Sequence, residues 1–120
     1  MAIRLDDIHL LMWLWHDAEL FLIEILWSDD GKMTVRLRCE INPEEDRQML
    51  INLGIQGPLV DVEFRGATHL QTNMLGICSL REVILDWNVS NSEPVHHHIG
   101  CSCGSTIDLN SEQVWLSEVK

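Results

Sequence analysis

The sequence predicts a mainly β protein: about six to eight antiparallel strands in a strongly twisted sheet or sandwich, with at most a short N-terminal helix. Three stretches carry this. Met33, Val35, Leu37, Cys39 and Ile41 alternate strictly with Thr34, Arg36, Arg38 and Glu40. Val60, Val62 and Phe64 alternate with Asp61, Glu63 and Arg65. Val83, Leu85 and Trp87 alternate with Glu82, Asp86 and Asn88, and Ile84 breaks the pattern. A period of two puts one set of side chains in a core and the other in water. Connections are short and no helical pattern is long enough for repeated crossovers, which favours antiparallel pairing.

Taken in order, residues 3–15 fit a short helix capped by Asp6 or Asp7, with Leu10, Leu11, Leu14 and Trp15 as its apolar stripe. A strand fits them nearly as well. Residues 18–27 are apolar on both parities, interrupted by Glu19 and Glu24. The turn cluster Ser28-Asp29-Asp30-Gly31-Lys32 leads straight into the strong strand at 33–41, so 18–27 is assigned as its hairpin partner. Asn42 to Asp46 read as a polar loop, and 47–56 as a short strand or one helical turn ended by Gly54 and Gly57-Pro58. Gly66 falls where alternation weakens, which predicts a bulge or bend. After a loop at 90–94, Val95, His97, Ile99, Cys101 and Cys103 share one strand face. Ile107 and Leu109 open a final hairpin turned at Asn110-Ser111, with Val114 and Leu116 returning. No internal repeat or linker divides the chain, and its length suits one domain, 1–120.

Composition narrows the partners. Nineteen acidic against eight basic residues give a net charge of -11, which disfavours nucleic acid and anionic membrane surfaces and suits a cationic partner or plain solubility. The apolar run from Ile8 to Trp27 carries His9, His16, Asp17, Glu19 and Glu24, so it is a poor membrane span. No positive n-region leads into a small-residue cleavage site. The expectation is a cytoplasmic protein with Cys39, Cys78, Cys101 and Cys103 reduced.

Residues able to do chemistry are few. His96 and His98 share one strand face and could supply two corners of a metal site, but Cys101 and Cys103 lie on the opposite parity. No metal and no cofactor are therefore expected. His16-Asp17 is half of a phosphohydrolase-like motif without the further ligands on neighbouring helices that such chemistry needs. There is no Gly-x-Ser-x-Gly elbow, and Gly100-Cys-Ser-Cys-Gly104 lacks the Lys and helix of a phosphate loop. These readings argue against an enzyme and leave His16, Asp17, His96 and His98 as a candidate polar site. Asp61, Glu63, Glu82 and Asp86 should project from the outer side of the sheet. They are either a solvated face, with Arg36 and Arg38 pairing across strands, or a docking surface for a basic partner.

Two segments carry a family resemblance. Trp15-His16-Asp17-Ala18-Glu19-Leu20 leads into an apolar strand, and Glu63-Phe64-Arg65-Gly66-Ala67-Thr68-His69-Leu70 is followed by Ser79-Leu80-Arg81-Glu82-Val83. With the final Cys101-Ser-Cys103 and Ile107-Asp-Leu109 strands, they resemble the immunity protein 50 family of bacterial polymorphic toxin systems over roughly residues 13–116. Ala67 stands where that group more commonly has Val, and the triple His is not one of its features. The resemblance implies a mostly β fold and a non-catalytic role: binding and neutralising a cognate toxin. The alternative is a ligand-binding or self-associating β domain.

Overall fold

The sheet is built around one strand long enough to serve in two places, β4, Leu59–Asn73. The computed structural model describes residues 2–7, 9, 12, 15–41, 44–73, 82–90 and 92–119, with only the backbone of 44–46, 82 and 103. Around β4 stand β1 (Ala2–Arg4), β2 (Glu19–Trp27), β3 (Met33–Glu40), β5 (Glu82–Val89), β6 (Val95–Cys101), β7 (Thr106–Ser111) and β8 (Gln113–Glu118). All described pairs are antiparallel, in the order β1-β8-β4-β3-β2-β5-β6-β7, and β7 returns to pair with β4. The mainly β, antiparallel architecture is thus as the alternation predicts, realised as one sheet that curls until it meets itself.

Gly66 makes the curl. Thr34 faces Arg65 and Met33 faces Ala67, so Gly66 is the extra residue of a bulge, at φ +64. That left-handed conformation favours glycine. Before the bulge β4 pairs with β8; beyond it, from Thr68 to Asn73, it pairs with β7. The expected final hairpin is corrected here. β7 and β8 follow each other along the same edge of β4 and do not pair with one another. Asn110-Ser111 lacks the glycine of a two-residue hairpin turn. Its two residues face His96 and Val95 of β6, and the chain merely kinks at Glu112, whose N–H donates to the Arg65 carbonyl at 3.1 Å.

The concave side is the core. Val35, Leu37 and Cys39 from β3, Val60, Val62 and Phe64 from β4, Ile107 and Leu109 from β7, and Val114 and Leu116 from β8 are all buried. Trp87 joins the two halves: its ring centroid lies 5.9 Å from that of Trp15 and 5.7 Å from that of Phe64. Edge-on and tilted contacts at these distances are favoured by the ring quadrupoles.

The expected burial of Val83, Leu85 and Trp87 on one face needs correction. Ile84 and Trp87 are buried, Val83 is half-buried and Leu85 is 52% exposed. Ile84 faces Cys101 and Asp86 faces Gly100, so Leu85 is an inserted residue that reverses the parity. Asp86 Oδ1 accepts the Gly100 N–H at 3.0 Å, and a Cβ on Gly100 would collide with that oxygen.

Met12 is helical within the stretch expected to form the N-terminal helix. α1 spans Glu44–Asn52, absorbing residues expected in a loop. Its Glu, Arg, Gln, Met and Leu are good helix formers. It stops in a Schellman arrangement: the Ile55 N–H donates to the Leu50 carbonyl and that of Gly54 to the Ile51 carbonyl, each at 2.9 Å, with Gly54 at φ +96. Near the N-terminus, Ala2, Ile3 and Arg4 pair with β8 instead of starting a helix; residues 8, 10, 11, 13 and 14 lie outside the described ones. Cys103 lies in a 3-10 turn, Ser102–Gly104, beyond the end of β6. Cys39 and Cys101 are buried and neither is in a disulfide, and Cys78 lies outside the described residues. No helix among the described residues is long and apolar enough to cross a membrane.

Candidate functional site

The outer face of β2, β3, β4 and β8 is a lattice of arginines and carboxylates. Register sets it: Glu24 faces Arg36, Arg36 faces Glu63, and Arg38 faces Asp61. Arg36 reaches Glu24 at 3.1 Å and Glu63 at 3.0 Å, while Arg65 holds the other Glu63 oxygen at 3.0 Å. Arg38 grips Asp61 with two bonds, 2.9 and 3.2 Å. The Arg65 guanidinium also lies 4.1 Å over the Trp115 ring, a cation–π contact. Burial by itself would raise the Glu63 pKa; the hydrogen bonds from Arg65 and Arg36 outweigh it and hold the carboxylate below its ordinary range.

Asp61 and Glu63 are therefore neighbours that already have cationic partners. Asp86 is elsewhere, on β5, which is separated from β4 by β3 and β2 one way round the sheet and by β7 and β6 the other. Glu82, also on β5, pairs through its backbone with Leu20 of β2. Asp86 does not join Asp61 and Glu63 on one surface.

A second polar face lies outside β6 and β7. His98 Nδ1 is 2.7 Å from Asp108 Oδ1, and His96 Nε2 is 3.4 Å from the same oxygen. His96 Nδ1 is 2.8 Å from Asn110 Oδ1, and Asn110 Nδ2 is 3.4 Å from His69 Nδ1. The sequence groups His96 with His98 by parity; Asp108, Asn110 and His69 join them only through strand register. No group of three or more His, Cys, Asp or Glu among the described residues is arranged to hold a metal ion. His16 and Asp17 stand apart from this face, paired with each other at 3.1 Å and exposed, where the Asp17 N–H donates to the Ile84 carbonyl.

One buried pair has the distance of a nucleophile and its base. His97 Nε2 lies 3.1 Å from Ser111 Oγ. The other ring nitrogen settles what that pair can do. Trp87 Nε1–H, which can only donate, points at His97 Nδ1 at 3.2 Å. Nδ1 therefore carries the lone pair and Nε2 the proton, so the imidazole donates to Ser111 and cannot take its proton. Burial in the first place, then the neighbouring His96, pushes the His97 pKa down to about 4. Cys39 is equally unsuited to attack, since burial pushes its thiol up to about 12.

An apolar opening lies at the β2–β3 turn. A groove of about 520 Å3 is lined by Trp27, Lys32, Met33, Ala67, Thr68 and His69, with Glu112 at its side. Trp27 is 71% exposed, and Ile25 and Leu26 before it are also exposed. Lys32 Nζ lies 3.6 Å from Glu112 Oε2. Asp30 folds back to accept the Lys32 N–H at 3.0 Å, which stiffens the turn. Sequence reasoning missed this site, because Trp27 at the end of an apolar strand looks like core. The signal available was its place immediately before a polar turn.

Comparison with known proteins supplies no relative: no protein-family model, no curated protein and no solved structure matches the chain.

Proposed function

We propose that this chain is a non-catalytic binding protein, an immunity-type protein that neutralises a cognate protein toxin in the cytoplasm. The observation that supports a binding role is the exposed Trp27 beside the groove at the β2–β3 turn. Large aromatic side chains held in water on a stiff scaffold are the usual anchors of protein interfaces. The partner fitting this site is a basic domain with an apolar side chain to fill the groove. Asp29 and Asp30 sit exposed in the turn beside Trp27, and the chain as a whole carries a charge of -11. Opposed charge of this kind speeds encounter and rejects wrong partners more than it tightens the final complex.

The Arg36–Glu63 and Arg38–Asp61 pairs bear on how the β4 acids would contribute. They would act through the summed field of the face, not as free carboxylates. His69 in the groove wall favours the second reading, a small-ligand site, because it adds a polar group to an apolar opening.

The experiment starts from the product of a neighbouring toxin gene, purified with this chain. Calorimetric titration should give one saturable complex. Trp27→Ala should weaken it by roughly 2 kcal/mol, about thirtyfold, while leaving thermal unfolding unchanged. Full affinity in a folded Trp27→Ala protein would remove the groove from the interface. Absence of binding by the wild type would remove the immunity reading itself.

A further inference from the structure

His97 is buried, tied at both ring nitrogens, and used by nothing in the proposed binding site. It stands where β5, β6 and β7 meet β4 in the core. Trp87 of β5 donates to one nitrogen, Ser111 of β7 accepts from the other, and the Phe64 ring of β4 meets it edge-on with centroids 4.8 Å apart. We propose that His97 is an acid-operated latch: neutral, it fastens β5 and β7 across the core, and protonated, it releases them.

The chemistry follows from donor counting. The neutral ring has one N–H, on Nε2, spent on Ser111, and one lone pair, on Nδ1, spent on Trp87. A second proton has no place except Nδ1. There it would point at the indole N–H from 3.2 Å, donor against donor, and an imidazolium would remain with no anion beside it. The groups that face the ring from each packed element are Phe64, Trp87 and Ser111, none of them charged. The Cys39 and Cys101 side chains lie in the same core, and Asp108 lies on the outer face with His96 and His98. No carboxylate among the described residues is hydrogen-bonded to His97 to offset the new charge. The suppressed basicity of the ring agrees with this geometry.

Two measurements test it. Nitrogen-15 spectra of the histidine rings at pH 6 should show His97 neutral with its proton on Nε2. An Nδ1–H tautomer or an imidazolium at that pH would overturn the proposal, whatever any variant does. The second measurement is the urea midpoint of wild type and His97→Gln between pH 7 and 4.5. A glutamine can accept from Trp87 and donate to Ser111 but binds no proton. Relative to His97→Gln, the wild-type folded-to-unfolded ratio should fall up to about tenfold for each pH unit below the ordinary histidine range. Equal slopes for wild type and a folded His97→Gln would sink the latch.

Discussion

The two outer faces of this sheet use polar side chains in opposite ways. Across β3 and β4 the partners are Arg36, Arg38 and Arg65 against Glu24, Asp61 and Glu63. Across β6 and β7 they are His96 and His98 against Asp108. The first face is half-buried, bidentate and shared among several partners; the second is more exposed and hangs on one carboxylate, Asp108. Cross-strand register creates both. Only the first ties neighbouring strands together at several points.

The largest effect should come from inverting the arginine face. Asp61→Lys with Glu63→Lys places like charges against Arg36 and Arg38 at a buried and a half-buried position, which should cost about 3–5 kcal/mol. The check is a urea denaturation followed by circular dichroism. A stable double variant would show that the lattice is ordinary surface charge.

Acid should separate the contributions by pH. His97 has a folded pKa lowered to about 4, so the unfolded chain takes up the proton first. Stability is full above the unfolded value near 6.5 and falls with pH down to about 4, by roughly 3 kcal/mol at most. Glu63 is also lowered, and for a carboxylate its contribution is present above the unfolded pKa and lost as pH falls through the folded one. Its loss therefore belongs below pH 4.5, the ordinary glutamate value. Glu63→Gln should flatten only that lowest limb of a stability-versus-pH curve. A change confined to pH 5–6.5 would contradict the assignment.

The smallest effect belongs to the histidine face. Asp108→Asn should change stability at pH 7 by a few tenths of a kcal/mol, because exposed pairs are worth little. A loss above about 1 kcal/mol, read from the same urea midpoints, would mean that the two faces are alike after all.

The sequence made much of the framework legible. β2, β3 and the first half of β4 follow from strict alternation and one turn cluster, and Gly66 marked its own bend. The arginine pairs were within reach too, since Arg36 and Arg38 share parity on a strand beside an acidic one. What stayed hidden depended on single residues or on register. One inserted residue, Leu85, turns β5 over, and no composition signal announces it. Asp108 and Asn110 reach His96 and His98 from a strand whose neighbour had been misjudged. Trp27 looked like core because apolarity alone does not say which end of a strand emerges into water. The His97 bonds needed three strands to be placed before the tautomer could be read.

The double role of β4 bears on how the chain assembles during synthesis. Its N-terminal half can pair with β3 as soon as both have left the ribosome, but its other edge waits for residues 106–118. β1 is described pairing only with β8, so it waits for one of the last strands made. The nascent chain must therefore carry the unsatisfied edge of β4 from the completion of β4 until residues 106–118 are made. Such distant pairing makes folding slow and exposes that edge to other chains. Bulges and charged outward residues on β4 are the features that blunt a waiting strand, and Gly66, Asp61, Glu63 and Arg65 supply both.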